Sequence, residues 1–301
     1  MERQMGIPEE QLETWSHQGA IASSKATYAT IRSALESTRA PYRDKRYKVF
    51  LQGSYGNDTN VWAESDVDIV IRLDSCFHND LDLLDFTQRS EQVAAYSNAT
   101  YCQTEFKRDV TKILMEAFPY EVTDGNKAIA IKAGGSRRKA DVIVATAFRR
   151  YYRFNSILDE SYAEGICFWD KSGERIANYP DQHSTNLTLK HQATGNRLKP
   201  TIRMMKNLRR KLVEEGMLDE GIAPSYYIEG LLYNVPNEKF TSSLGDTFCN
   251  AVNWIRSEAS KTNFVTANEQ YYLLRDNAKT CWLPAHADEF LEASVQLWNS
   301  W

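Results

Sequence analysis

The chain has little of what marks several protein classes. Its five cysteines are scattered, with no Cys-x-x-Cys pair and an odd total. That argues against a disulfide framework or a zinc site and fits a reducing cytoplasm. No run approaches the roughly 18 apolar residues that a membrane-spanning helix needs. The opening residues 1–10 lack the apolar core of a secretory signal. Positive charge is not in excess either: 36 Lys and Arg face 40 Asp and Glu, for a net charge of −4. Nucleic acid and anionic membrane are therefore not attracted globally, and any polyanion site has to be a local basic patch. Repeats and low-complexity segments are absent. What is present is a 42% hydrophobic content with 16 Tyr, 12 Phe and seven Trp, enough to fill the core of one large domain or two smaller ones.

The informative stretch is 47–73. Val49-Phe50-Leu51 is a short apolar run that reads as a strand, and Gly53-Ser54 ends it. A polar connection follows, then Ser65-Asp66-Val67-Asp68-Ile69-Val70-Ile71. In a strand Val67, Ile69 and Ile71 share one face, and Asp66 and Asp68 share the other. Two carboxylates so placed repel each other unless a cation lies between them. Carboxylate oxygens suit Mg²⁺, which keeps waters and binds one or two protein carboxylates together with substrate phosphates. The glycine lets backbone approach a phosphate closely, and the serine hydroxyl can donate to it. A solvated edge strand would be the ordinary reading of an isolated Asp-x-Asp; the Gly-Ser turn ahead of it favours a metal site beside a phosphate-binding turn.

Around this stretch the pattern alternates, then turns helical. Residues 8–38 read as one helical stretch with a break allowed near Gly19, 74–84 as a connection or short helix, and 100–118 as a helix stopped by Pro119. Residues 120–147 read as paired strands; Asp141 opens the last, with apolar neighbours on both sides. Arg137, Arg138, Lys139, Arg149, Arg150 and Arg153 flank that strand as a phosphate groove or a solvated rim. A hairpin is expected over 165–179, ending at Asn178-Tyr179-Pro180. Beyond it the composition changes, which divides the chain into 1–183 and a helical 184–301. Helices are expected over 184–193, 196–215, from Pro224-Ser225, over 246–260 and over 286–299. On the second of these Lys199, Arg203, Lys206 and Arg210 form a basic stripe. Ser225 stands at a helix start, a natural phosphate site.

Gly-Ser followed by Asp-x-Asp in a hydrophobic strand resembles the signature of the DNA polymerase β-like nucleotidyltransferases. Residues 194–208, Pro224-Ser225-Tyr226-Tyr227-Ile228-Glu229 and the N-terminal 10–20 are similar to the bacterial cGAS/DncV-like nucleotidyltransferases (CD-NTases), E clade. The resemblance implies an α+β, two-lobed fold: a central mixed sheet with a long N-terminal helix across the back, and a helical C-terminal lobe. It implies catalytic and metal-binding roles for Asp66, Asp68 and Asp141, with two Mg²⁺ ions (Mn²⁺ as an alternative). It further implies nucleotide-binding positions at Gln52, Gly53, Ser54, Lys206, Ser225 and Tyr226, with Tyr227 as the other stacking candidate. In some members an Asn reads uracil, and Asn178 is the candidate here. The implied activity is a cyclic dinucleotide synthase joining two nucleoside triphosphates, UTP among them, in antiphage (CBASS) signalling, its product read by a separate effector. A cytoplasmic monomer with no membrane and no stable nucleic-acid partner is expected. A linear nucleotidyltransferase acting on RNA or a small molecule, and a catalytically silent nucleotide-binding module, remain alternatives.

Overall fold

The computed structural model describes residues 6–19, 21–61, 66–258, 261–276 and 279–301. Residues 62–65 of the central motif, residue 20 of the first helical stretch and residues 259–260 at the end of an expected helix lie outside the described residues. In chain order the elements begin with α1 (Glu9–Ser16), α2 (Ile21–Leu35), β1 (Tyr47–Leu51), α3 (Gly53–Gly56) and β2 (Val67–Asp80). They continue with α4 (Phe86–Ala95), α5 (Gln103–Ala117), β3 (Val122–Asp124), β4 (Ile129–Ile131), β5 (Ala140–Ser156), β6 (Asp159–Trp169) and β7 (Arg175–Asn178). Last come α6 (Pro180–Ala193), α7 (Leu198–Glu214), α8 (Ser225–Asn234), α9 (Leu244–Ser257) and α10 (Pro284–Ser300). This is the mixed α+β architecture expected, and no helix among the described residues is long and apolar enough to cross a membrane.

The chain forms two compact units: Ile21–Tyr55 with Asp66–Pro180, and Met1–Ala20 with Gly56–Ser65 and Asp181–Trp301. A simple split at 183 left 1–20 and 56–65 with the sheet; they group with the helices instead. The reason is packing and hydrogen bonding. Leu12 and Trp15 of α1 sit in one core with Ile202, Met205 and Leu208 of α7. Asn207 Nδ2 donates to Trp15 O at 2.8 Å, and the Glu9 carboxylate accepts from the Gly245 amide at the start of α9 at 2.9 Å.

In the sheet unit the strand order is β1-β2-β5-β4-β3, with β6 pairing β5 and β7 pairing β6. β2 and β5 run parallel; the other pairings are antiparallel. Alternation sorts the faces. Val67, Ile69, Ile71 and Leu73 of β2, with Ala140, Val142 and Val144 of β5, bury against Ile31 and Leu35 of α2 and Phe106, Val110 and Leu114 of α5. Val70 and Ala145 point the other way and pack with Ile166 and Phe168. Residues 74–80 are not a connection but the second half of β2, paired beyond an irregularity with Ala147–Arg150.

The single helix over 8–38 is in fact two. His17 is extended (ψ 145°), and the chain turns at Gly19, whose amide donates to Asn60 O at 3.1 Å. α1 belongs to the helical unit and α2 to the sheet unit. The flanking arginines form neither a groove nor a free rim. Arg149 pairs with Glu160 at 3.3 Å and lies over the rings of Phe77 and Tyr162, Arg153 pairs with Asp159 at 2.7 Å, and Arg137 pairs with Glu121.

Candidate active site

The parallel pairing of β2 and β5 sets Asp68 directly opposite Asp141. Neighbouring strands lie about 4.8 Å apart, and paired residues share a face, so these two carboxyls converge. Asp66, two residues before Asp68, is on the same face by alternation. The face behind them is the helix-covered core, which leaves the acids only one direction to address.

The turn after β1 closes on this pair. Gln52 N donates to Asp68 O at 2.9 Å. Gly53 has φ +66°, and a Cβ there would collide with the Asp68 carboxylate, so only glycine fits. Ser54 follows in the short α3. Gln52 Oε1 is buried with no hydrogen-bond partner among the described residues. Gln52, Gly53, Ser54, Asp66, Asp68 and Asp141 thus belong to one unit and one corner of the sheet.

The charges are unbalanced. Burial, then Asp141, then Asp66 push the Asp68 carboxyl up to about 7, against the opposing pull of Lys139. Burial also raises Asp141, with Lys139 opposing and Asp66 reinforcing the rise. Lys139 is hydrogen-bonded to Asp66. Among the described residues no three acidic, His or Cys side chains stand together as a ready-made metal cluster. Two carboxyls in register, a third on a lysine and a raised Asp68 nonetheless suit a hard divalent cation, which needs only one or two protein carboxylates beside substrate oxygens.

Asn178 closes β7, and its Oδ1 accepts from the Tyr179 amide at 2.9 Å. It pairs with Ile166, which pairs with Ala147, six residues beyond Asp141 on β5. That is about 20 Å along the strand, so the sheet does not bring Asn178 to the acids.

The helical unit holds Lys206, Ser225 and Tyr226. Lys206 does not present the open ammonium that the sequence pattern implied. It is 1% exposed, and its Nζ donates to Glu229 Oε1 at 2.6 Å, Thr59 Oγ1 at 3.1 Å and Thr59 O at 3.2 Å. Lys199 and Arg203 also turn inward: Lys199 pairs with Asp58 at 3.1 Å, and Arg203 donates to Ser16 O and Asp58 O, whereas Arg210 pairs with Glu214 on the same helix at 3.5 Å. Ser225 is the first residue of α8. Tyr226 stacks on His183 with centroids 5.1 Å apart and accepts at its hydroxyl from Asn268 at 3.0 Å, whereas Tyr227 stacks on the buried Trp282.

Two residues escaped the sequence reading. Glu229, buried on α8, accepts from Lys206, from Thr59 Oγ1 at 2.5 Å, from Asn57 at 3.4 Å and from His183 Nε2 at 2.7 Å. Burial alone would raise it, but Lys206 and the His183 hydrogen bond outweigh burial and hold it well below the usual carboxylate range. The available signal was a lone acid inside the apolar run Ile228–Tyr233. His183, at the start of α6, carried none.

Residues 185–299 match the cGAS/DncV-like nucleotidyltransferase C-terminal helical domain. Over the whole chain the sequence is similar to a cyclic UMP-AMP synthase of Rhodothermus marinus, 37% identical over 299 residues and 99% of each chain. It is also similar to a cyclic dipyrimidine nucleotide synthase of Legionella pneumophila, 33% identical over 94% of this chain and 95% of that one. The structure of the R. marinus c-UMP-AMP synthase with Apcpp and Upnpp superimposes with a TM-score of 0.88, covering 98% of this chain and 97% of that one at 36% identity.

Proposed function

The chain belongs to the cGAS/DncV-like nucleotidyltransferases, and from that premise we propose that it is a cyclic dinucleotide synthase that uses UTP as one of its two nucleoside triphosphates. The observation that carries the reading is the register of Asp68 with Asp141 beside the Gly53 turn. A carboxylate pair of this kind can hold divalent metal and take a proton from a hydroxyl on the same face.

In the proposed reaction a hydroxyl of one nucleotide attacks the α-phosphorus of another. A new O–P bond forms, the bond from the α-phosphorus to the bridging oxygen breaks, and pyrophosphate leaves with that electron pair. Asp141 accepts the hydroxyl proton. A second round closes the ring. Two Mg²⁺ ions held by Asp66, Asp68 and Asp141 would supply charge stabilisation for the attacking and leaving oxygens, with Mn²⁺ able to substitute. Gln52, Gly53 and Ser54 offer backbone and side-chain groups to phosphate oxygens. In the helical unit Ser225 is assigned to the triphosphate and Tyr226 to a base, each as a residue of that unit. Lys206 acts through Glu229 and Thr59, whose positions it holds. Asn178 is assigned to selection of uracil. The product would act as a messenger for a separate effector in antiphage defence, with the enzyme working as a cytoplasmic monomer.

The test is incubation of the purified protein with all four nucleoside triphosphates and Mg²⁺ or Mn²⁺, phosphatase treatment, and mass spectrometry. The expected result is a phosphatase-resistant cyclic dinucleotide containing uridine, absent from the Asp66→Asn/Asp68→Asn protein. A purine-only product would remove the UTP and Asn178 assignments; only linear products would overturn the cyclase reading.

A further inference from the structure

The far end of β2 carries a second concave site that shares no residue with the catalytic corner. Beyond the irregularity between Leu73 and Phe77, a cavity of about 800 Å³ lies within the sheet unit. Phe77 is nine residues beyond Asp68, up to about 30 Å of extended strand. The volume is in the usual range for small-molecule sites, about 300–1,000 Å³.

The lining has a consistent chemistry. No aspartate or glutamate is among the residues that line it, although the chain is net acidic. Two cations do line it. Lys45 Nζ lies 5.2 Å over the Tyr101 ring; the Arg175 guanidinium donates to Asn79 O at 3.3 Å and lies 5.4 Å over Phe148. Neither is ion-paired among the described residues, whereas Arg149, close by, is paired with Glu160. Phe77, Tyr96 and Tyr101 supply aromatic wall. Gln92 also lines the cavity; it is 1% exposed, and its Oε1 accepts from Asn79 while its Nε2 has no hydrogen-bond partner among the described residues. Uncompensated cations, a buried amide donor and aromatic rings together match a flat ring that carries phosphate.

We propose that this cavity is a second nucleotide site, separate from the catalytic acids, in which Lys45 and Arg175 take the phosphates of a nucleoside phosphate and the aromatic wall takes its base. The inference stands on the cavity's own lining and survives if the catalytic reading fails.

Photo-crosslinking of the full chain with 8-azido-ATP, followed by peptide mapping, tests it. Label is expected on peptides within 75–102, displaced by excess ATP but not by the same concentration of inorganic pyrophosphate. The Lys45→Glu/Arg175→Glu protein is expected to lose roughly tenfold or more of that label, since each charge-assisted hydrogen bond is worth about a factor of ten in affinity. Both substituted side chains are exposed, so the variant should melt with the wild type. Equilibrium dialysis against ATP is the second readout, with one bound equivalent lost in the variant. Absence of label from 75–102, equal label and stoichiometry in the variant, or displacement by pyrophosphate as effective as by ATP would each overturn the proposal.

Discussion

Two carboxylates in this protein, the half-buried Asp68 and the buried Glu229, are in opposite electrostatic states. Asp68 faces Asp141 across the parallel strands, has Asp66 two residues away, and is pushed up to about 7. Glu229 is buried more completely, yet Lys206 and His183 hold it far below the usual range, and Thr59 donates to it as well. At the first site Lys139, paired with Asp66, faces three carboxyls and leaves Asp68 raised, whereas the second is compensated. A site that folding leaves uncompensated is one that a ligand can compensate, whereas Glu229 needs nothing further. The contrast is the physical ground for proposing this corner as the catalytic one, and it gives Glu229 and Lys206 a structural task, fastening residues 57–59 to α7 and α8.

The largest effect that follows is on turnover. Asp66→Asn/Asp68→Asn should reduce product formation by roughly a thousandfold or more, because charge stabilisation at the reacting oxygens is commonly the dominant catalytic contribution. Its melting temperature without metal should stay level or rise, since a buried repulsion is removed. A fall of many degrees would mean that the acids hold the fold together. Next in size is Glu229→Leu, which strands the Lys206 ammonium in the interior. Loss of one partner of a buried pair costs about 3–5 kcal/mol, and Lys206→Met/Glu229→Leu should recover much of it in urea denaturation. Full loss in the double variant would show that the pair stabilises more than each partner's own burial.

The pH dependences should run in opposite senses. A carboxyl whose pKa is raised on folding adds stability that is present at low pH and lost as pH rises through its folded value. In chelator, lowering the pH from 8 to 6 should therefore stabilise wild type relative to Asp68→Asn by about 1 kcal/mol. Glu229, lowered on folding, contributes stability above its unfolded value near 4.5 and gives it up only as pH falls through its folded value, so its loss belongs to the acid limb. Parallel curves for wild type and Asp68→Asn between pH 6 and 8 would contradict the assigned state of Asp68. The smallest expected effect is Glu9→Gln, which weakens the acceptor at the first amides of α9, the Gly245 N–H among them, and should cost about 1 kcal/mol in thermal unfolding.

The convergence of the acids on the Gly53 turn was legible because its signals are local. Period-two alternation placed Asp66 and Asp68 on one face, the Gly53 turn marked close backbone approach, and Asp141 opened a strand among apolar residues. The burial of Lys206 was not legible, because helical spacing shows that Lys199, Arg203, Lys206 and Arg210 share a face but not which way that face points. Its direction is decided by Asp58, Thr59 and Glu229, of which Asp58 and Thr59 are more than 140 residues away in the chain. The second half of β2 was read as a connection because Asp74, Ser75, His78, Asn79 and Asp80 break the apolar pattern; pairing with β5 overrides that composition. α4 went unread for a related reason: its apolar residues Phe86 and Val93 are exposed, so it has little buried face to betray it. The break at His17–Gly19 was allowed by the sequence, but the allocation of α1 and α2 to different units rests on packing that no local pattern records.

The most direct test of the contrast is calorimetric titration of Mn²⁺, with a non-hydrolysable UTP analogue present, into wild type, Asp68→Asn and Lys206→Met/Glu229→Leu proteins. The account predicts Mn²⁺ binding by wild type, roughly tenfold or more weaker binding by Asp68→Asn, since an anionic oxygen ligand is lost, and near-wild-type affinity in the folded double variant. Equal Mn²⁺ affinity in wild type and Asp68→Asn would contradict it.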